Sequence, residues 1–220
     1  NNYQKEYYKN RKLKNKNNYV NGIKHGLQKE YFKHGTLKTL CNYKNNVKVG
    51  NEFINNSDGQ LKFIKYHKKN ICEVKHYIRD KLLSKFQSKN NILHGQCFLY
   101  SNNNLRKICC YNDGLLYGQM YLHNEYGLYE EINYYANEKN GAYIKYNNFG
   151  EIQIYANFKY DKLHGISKMF NLNGINTHIV EFKNGKLDGK YITNDICKKI
   201  YNFKANLLNG YYTEFYKNNN

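Results

Sequence analysis

The stretch that decides the fold is NGIKHGLQKEYFKHGTL, which covers residues 21–37. Its glycine Gly26 returns along the chain at intervals of 24, 45, 23, 23, 24, 24 and 21 residues, and 45 is close to two periods. The complete series of lead glycines is Gly26, Gly50, Gly95, Gly118, Gly141, Gly165, Gly189 and Gly210. Recurrence at one short period indicates a small structural unit that is stacked many times.

Other residues keep the same period. An aromatic residue usually follows the lead glycine after five positions, as Tyr31 does, and another follows near sixteen or seventeen, as Tyr43 does. The same spacing can be laid over residues 1–25 and 70–90, which are degenerate units without the lead glycine. The chain therefore holds about ten units of 21–24 residues. A second glycine stands nine positions after the first in five copies: Gly35, Gly59, Gly127, Gly150 and Gly174.

Each unit contains two short apolar runs rich in Tyr, Phe, Ile and Val, and these residues favour strands. Asn-Gly and Asp-Gly pairs between the runs, such as Asn184–Gly185, supply the positive φ angles of tight hairpin turns. Helices are the weaker alternative, because the apolar runs are short and glycine is frequent. We therefore expect an all-β fold, a single elongated domain over residues 1–220 built as an antiparallel β-hairpin array. The thirteen periodic glycines are assigned to its turns.

These units resemble the MORN repeat, and more closely its variant class, which reads approximately N-G-x-x-H-G-x4-Y-Y-x-N-G-x-L. Residues 21–37 and 161–174 match best, and residues 93–95 and 184–189 are further good openings. The resemblance implies an extended antiparallel meander with stacked aromatic residues. It also implies scaffolding, dimerisation or binding to anionic phospholipid, as in eukaryotic arrays, whereas some bacterial and large-virus relatives are labelled antitoxin components. The family lends this chain no catalytic residue.

The charge of the chain is strongly positive and unevenly distributed. The formal net charge is +18, with 32 lysines and three arginines. Codons rich in A and T would produce the excess of lysine without selection for binding. Residues 1–90 carry a net +15, however, and residues 91–220 carry +3. Codon bias acts on both halves, so this asymmetry favours docking of an anionic partner by the N-terminal half.

Two of these lysines, Lys38 and Lys62, occupy the same place in successive units, twelve residues after the lead glycine, as does Lys107. In a regular meander this place forms a row along one face, which neighbouring lysines would thicken. A solvated basic face without function is the alternative. The residues that we predict to bind an anionic partner are Lys38, Lys62, Lys65, Lys68, Lys69 and Lys75.

Catalytic and metal-binding patterns are absent from the sequence. No G-x-S-x-G elbow and no glycine-rich phosphate loop occurs. His25, His94 and His164 stand at the same point of different units, which keeps them too far apart to share a metal ion. We therefore predict a protein that is not an enzyme and that uses no metal or other cofactor. An accessory domain of an enzyme encoded upstream is a further alternative.

The sequence also bears on the compartment. It contains no run of 18 apolar residues and no apolar segment near its start, although the true N-terminus can lie outside it. Its six cysteines form no C-x-x-C pair. Cys41 and Cys110 share a phase with Ala156 and Val180, which indicates small packing residues in a reducing environment. We expect an intracellular, cytoplasmic protein.

Together these patterns predict a non-enzymatic protein-interaction scaffold whose basic N-terminal half docks an anionic partner. A protein is the first expectation for that partner, and an anionic membrane surface or nucleic acid remains open. The alternative function is an antitoxin or immunity-like inhibitor of one toxin or effector, with residues 70–90 as the epitope. The aromatic edge at residues 212–216 also predicts homodimerisation through an edge strand.

Overall fold

A computed structural model describes residues 2–194 and 197–216 of the chain. Every regular element in these residues is a β-strand, and all the described strand pairs are antiparallel. The predicted all-β fold of antiparallel hairpins is therefore confirmed. The chain divides into two compact units: unit 1 comprises the described residues up to Arg106 together with Tyr111–Gly114, and unit 2 comprises Lys107–Cys110 and the described residues from Leu115 onward.

Unit 1 is a meander in which each long strand pairs with the next one along the chain. Residues 70–90, predicted to be degenerate, form two regularly paired strands joined by a tight turn at Arg79–Asp80. The strands are β1 (Asn2–Tyr7), β2 (Leu13–Val20), β3 (Ile23–Lys24), β4 (Gly26–Tyr31), β5 (Leu37–Lys44), β6 (Val47–Asn55), β7 (Leu61–His67), β8 (Cys72–Ile78), β9 (Lys81–Lys89) and β10 (Ile92–Ser101).

Unit 2 repeats the same arrangement of paired hairpins. The first strand listed below, β11, is shared, because Lys107–Cys110 belong to unit 2 and its other residues belong to unit 1. The strands are β11 (Asn104–Asn112), β12 (Leu115–Leu116), β13 (Gly118–Asn124), β14 (Gly127–Tyr135), β15 (Glu138–Tyr146), β16 (Ile152–Lys159), β17 (Lys162–Leu163), β18 (Gly165–Phe170), β19 (Asn176–Lys183), β20 (Lys186–Thr193), β21 (Lys198–Lys204), β22 (Leu207–Leu208) and β23 (Thr213–Phe215).

Many hairpins close with two residues that both have positive φ, the geometry of a type I′ turn. Asn45 and Asn46, at 52° and 64°, form one such turn. Successive turns of this kind are hydrogen-bonded to one another along one edge of each unit. The Asn46 amide donates to the Lys24 carbonyl at 3.0 Å, and the Lys24 amide donates to Asn46 Oδ1 at 2.9 Å. Asp161 and Lys139 form the same two bonds in unit 2. The asparagine or aspartate of one turn therefore holds the backbone of the preceding repeat in place.

The structure corrects the assignment of the lead glycines to turns. All thirteen periodic glycines have positive φ, as a turn glycine would. The lead glycines nevertheless lie where the register between two strands shifts or a short strand breaks off, as Gly50 does inside β6. The G1 type of β-bulge has left-handed backbone at its first residue, and glycine adopts this conformation without strain. The second glycines, such as Gly150, do close the longer hairpin loops.

Paired residues of antiparallel strands point to the same face, so the register defines one buried row of side chains in each unit. We call these the central rows. The central row of unit 1 is Gln28, Cys41, Glu52, Lys65, Val74, Phe86 and Cys97. The central row of unit 2 includes Met120, Ile132, Tyr143 and Ala156, and then Ser167, Val180, Tyr191 and Tyr201.

The phase predicted for the small packing residues is correct for Cys41, Ala156 and Val180, which are all buried. For the cysteine pair of β11 it is wrong by one residue. Cys109 is the buried member, 1% exposed, and Cys110 is half-buried. A single-residue difference in register reverses the face of a strand residue, which explains the error.

Candidate functional site

Five of the six predicted lysines lie on two consecutive strands of unit 1 and on the connection between them. Lys62 and Lys65 belong to β7, Lys75 belongs to β8, and Lys68 and Lys69 occupy the connection between these strands. The sixth, Lys38, lies on β5. Lys62 and Lys65 line one cleft, and Lys65, Lys68 and Lys69 line a smaller one beside it.

The expected row along a single face is wrong for Lys75. Lys65 is paired with Val74 and with Glu52, so it points to the face of the central row. Lys75 follows Val74 directly and is paired with Ile64, which places it on the opposite face. Of the six predicted lysines, only Lys38 and Lys62 share a position in the repeat. For the other four, the alternation of side chains along a strand decides which face each lysine occupies.

Lys38 and Lys62 do share a structural position, and Lys14 shares it too. Each is the extra residue at a register shift near the end of a hairpin. In the first two copies the ammonium group meets a carboxylate of the preceding strand. Lys14 Nζ lies 2.5 Å from Glu6 Oε1, and Lys38 Nζ lies 2.7 Å from Glu30 Oε1. The charge of Lys38 is therefore already compensated within the chain.

Lys62 breaks this pattern because its carboxylate is missing. The residue 24 positions after Glu30 is Ile54, which offers no charge to the ammonium group. Lys62 Nζ lies instead 5.5 Å from the ring centroid of Phe63, a cation–π contact. Among the residues that the structure describes, Lys62 has no ion-pair partner. It is therefore available to an external anion.

The cleft beside Lys62, which we call the Lys62 cleft, has a volume of about 760 Å³. Apolar side chains from Phe32, just after β4, to Leu93 in β10 form its floor, and asparagine and serine residues line it together with the two lysines. Its apolar lining is Phe32, Ile54, Phe63, Val74, Phe86 and Leu93. Its polar lining is Asn55, Asn56, Ser57, Lys62, Lys65, Ser88 and Asn91.

A smaller cleft of about 240 Å³ adjoins it and shares Lys65, Val74, Ser88 and Asn91 with it. Lys68 reaches this cleft but is paired with Glu73 at 2.9 Å. That pair is largely exposed, so it stabilises the chain little and can exchange with an outside anion. Lys65 thus lies between an apolar cleft and a basic one.

The buried carboxylate of Glu52 explains why Lys65 has no ion-pair partner among the described residues, although it lies opposite Glu52 in the register. Glu52 is 3% exposed, and its two oxygens accept hydrogen bonds from Lys48 Nζ at 2.5 Å and from His67 Nε2 at 2.8 Å. Burial raises the pKa of Glu52, but the bonds from Lys48 and His67 outweigh it, so the net pKa lies below its ordinary value. Its negative charge is therefore retained and fully engaged.

The triad of Glu52, Lys48 and His67 was not anticipated from the sequence. A signal for it exists, because the residue two positions after the lead glycine is buried in five of the repeats, whereas the tyrosines that hold this position in three others are not buried. In those five repeats the position holds Gln28, Glu52, Cys97, Met120 and Ser167. A carboxylate in a slot that otherwise holds neutral residues predicts a buried charge with partners of opposite sign.

The arrangement can bind, but it offers no convergent set of reactive groups. No cluster of three metal-ligating side chains occurs in residues 2–194 and 197–216. The same residues contain no apolar helix of the length that crossing a membrane requires. Two cations without internal partners at the rim of an apolar floor suit a ligand that combines negative charge with an apolar group.

Comparison of the chain with protein-family models and with curated proteins finds no match.

Proposed function

We propose that this chain is a non-enzymatic interaction scaffold of the MORN-like class that docks an anionic partner through the Lys62 cleft. The observation that carries the proposal is the loss of the internal carboxylate at Ile54, which leaves Lys62 unpaired beside an apolar floor. Two earlier copies of the same position keep their ion pairs. Unit 1 also contains all the charged residues of 1–90, whose net charge is +15, and this charge would attract the partner over several ångströms at low ionic strength.

An acidic protein is the partner that the cleft favours. Its floor would bury an aromatic or aliphatic side chain, which a protein can supply between carboxylates. A duplex nucleic acid offers phosphates without such a side chain, and arginine, its preferred partner, is nearly absent. We also propose a reducing, intracellular compartment, which the thiols of Cys41, Cys72 and Cys110 support.

The test uses the full chain and three probes: a synthetic peptide with one phenylalanine between glutamates, anionic vesicles, and duplex DNA. Binding of the peptide should weaken steeply between about 50 and 300 mM salt. Charge reversal in Lys62→Glu/Lys65→Glu should weaken it about tenfold or more, since two attractions become repulsions. The matched control is Lys159→Glu/Lys183→Glu, two exposed lysines of unit 2, which should bind like the unmodified chain. Equal binding by both variants would refute the proposal.

The alternative of an immunity-like inhibitor draws support from one observation. Residues 70–90, its expected epitope, supply Val74, Phe86 and Ser88 to the Lys62 cleft. Such an inhibitor would hold one effector tightly and with little dependence on salt, because the apolar floor would dominate the contact. Co-purification of a single partner that withstands about 300 mM salt would favour this function over a salt-sensitive scaffold.

A further inference from the structure

The longer hairpin loops of unit 2 present apolar side chains at their tips. In the loop Asn147–Gly150, Phe149 is 82% exposed. The loop is well ordered by local bonds: Asn147 Oδ1 accepts the amides of Phe149 at 2.9 Å and Glu151 at 3.0 Å. Because the backbone of this loop is already ordered, insertion of the Phe149 ring into a cleft costs little backbone entropy.

Unit 1 builds the same loop without the apolar tip. Asn56 Oδ1 accepts the amides of Asp58 and Gln60 at 3.1 and 2.9 Å, the same pattern two and four residues ahead. Its exposed positions are Ser57 and Asp58. The phenylalanine is therefore not needed for the loop geometry. Tyr126, 64% exposed, and Leu172, 69% exposed, occupy the tips of the neighbouring loops of unit 2.

Carboxylates flank these tips. Glu151 follows the Phe149 loop directly and accepts a bond from Asn147 Nδ2 at 3.0 Å, and Glu125 precedes Tyr126. Within the described part of the chain, neither carboxylate has an ion-pair partner. The Tyr126 and Phe149 loops of unit 2 thus combine an exposed aromatic ring with uncompensated negative charge, which is the complement of the Lys62 cleft.

We propose that a second copy of this chain occupies the Lys62 cleft, with its Phe149 ring on the apolar floor and its Glu151 carboxylate near Lys62 and Lys65. The inference rests on the cleft of the proposed function. The two surfaces that meet are different, so the contact is head-to-tail, and each added copy leaves one free cleft and one free loop. Association would therefore continue beyond a dimer as the concentration rises, and salt would weaken it.

The experiment is a complementation between two full-length variants, followed by sedimentation equilibrium at about 200 µM, where a weak contact is populated. Phe149→Asp removes the loop anchor and keeps the cleft. Lys62→Glu/Lys65→Glu disables the cleft and keeps the loop. The unmodified chain should show a mass that rises with concentration at low salt, and each variant alone should remain monomeric. An equimolar mixture of the two variants should form a dimer and no larger species. The only intact cleft is that of Phe149→Asp, and the only intact loop is that of Lys62→Glu/Lys65→Glu.

Two controls keep the outcome specific. Tyr160→Asp removes another exposed aromatic side chain of unit 2 and should associate like the unmodified chain. Circular dichroism and thermal unfolding establish that each variant is folded. A mixture that stays monomeric overturns the proposal, as does normal association of Phe149→Asp, which pairing through an edge strand would produce. If Phe149→Asp still binds the acidic peptide but the chain does not associate with itself, the self-contact fails and the proposed function stands.

Discussion

The two units bury side chains of different chemistry at the same backbone position. Two residues after a lead glycine, unit 1 buries the charged Glu52, which is paired with Lys48 and His67. At the same position unit 2 buries the apolar Met120, which is 5% exposed. Both side chains belong to a central row and to a strand with the same pairing pattern. The backbone geometry therefore does not dictate the chemistry of the row. The residue in the slot does, provided that its neighbours can compensate its charge.

The hairpin loops also combine one backbone geometry with different side chains, here at the surface. Asn56 and Asn147 order the same loop, but the tip is Asp58 in unit 1 and Phe149 in unit 2. Unit 1 thus concentrates positive charge beside an apolar cleft, and unit 2 presents aromatic tips beside carboxylates. One repeated scaffold carries two different surfaces, and the predictions below test how independent the scaffold and the surfaces are.

The largest effect should come from moving the charge of unit 1 into unit 2. Met120→Glu places a carboxylate in the same slot without a lysine or histidine partner, so it should cost about 4 kcal/mol at pH 7. The cost should fall towards pH 5, because burial raises the pKa of an unpaired carboxyl group. Urea denaturation measures it, with Met120→Leu as the control of similar volume. A cost below that of Met120→Leu would show that the slot tolerates charge without partners.

Removing the carboxylate from unit 1 should have the next largest effect. Glu52→Ala removes the buried acceptor of Lys48 and His67, whose own side chains are partly exposed, and should cost about 3 kcal/mol. The control is Glu30→Ala, which removes the partner of Lys38 from a pair that is about two-fifths exposed and should cost less than about 1 kcal/mol. Equal losses in urea denaturation would remove the distinction between the buried triad and the surface pairs.

Restoring the missing carboxylate should reduce binding with little change in stability. Ile54→Glu recreates for Lys62 the pair that Glu30 provides for Lys38, and it also makes the cleft floor more polar. Peptide binding should weaken about tenfold. Ile54→Gln, which adds polarity without charge, separates the two contributions. If Ile54→Gln weakens binding as much as Ile54→Glu, the apolar floor matters and the free charge of Lys62 does not.

The smallest effect concerns pH. The pKa of Glu52 is lowered on folding, so the carboxylate stabilises the chain above about pH 4.5, and this contribution disappears as the pH falls through the lowered pKa. The difference in unfolding free energy between the unmodified chain and Glu52→Gln should be about 1–2 kcal/mol at pH 7 and should shrink as the pH falls below about 4.5. A difference that is constant with pH would mean that the pKa of Glu52 is the same in the folded and the unfolded chain.

The sequence alone determined the fold class, because a period of 21–24 residues, short Tyr- and Ile-rich runs and Asn-Gly turns act locally. It also located the basic region, and Lys62 and Lys65 within it. It placed the lead glycines in turns, since positive φ serves a bulge as well as a turn and composition does not distinguish them. Only the strand register decided that Lys75 lies on the other face and that Gly50 lies inside β6.

The cleft itself depended on tertiary structure. Phe32, Phe63 and Phe86 come from different hairpins, and nothing in their local sequence states that they line the same surface. The freedom of Lys62 likewise depends on the register, because Ile54 occupies the place beside Lys62 that Glu30 occupies beside Lys38. A repeat fixes each unit through short-range interactions, whereas the side chains that meet across units follow from register. For that reason the sequence determined the scaffold, and the tertiary structure decided which charges are left free to bind.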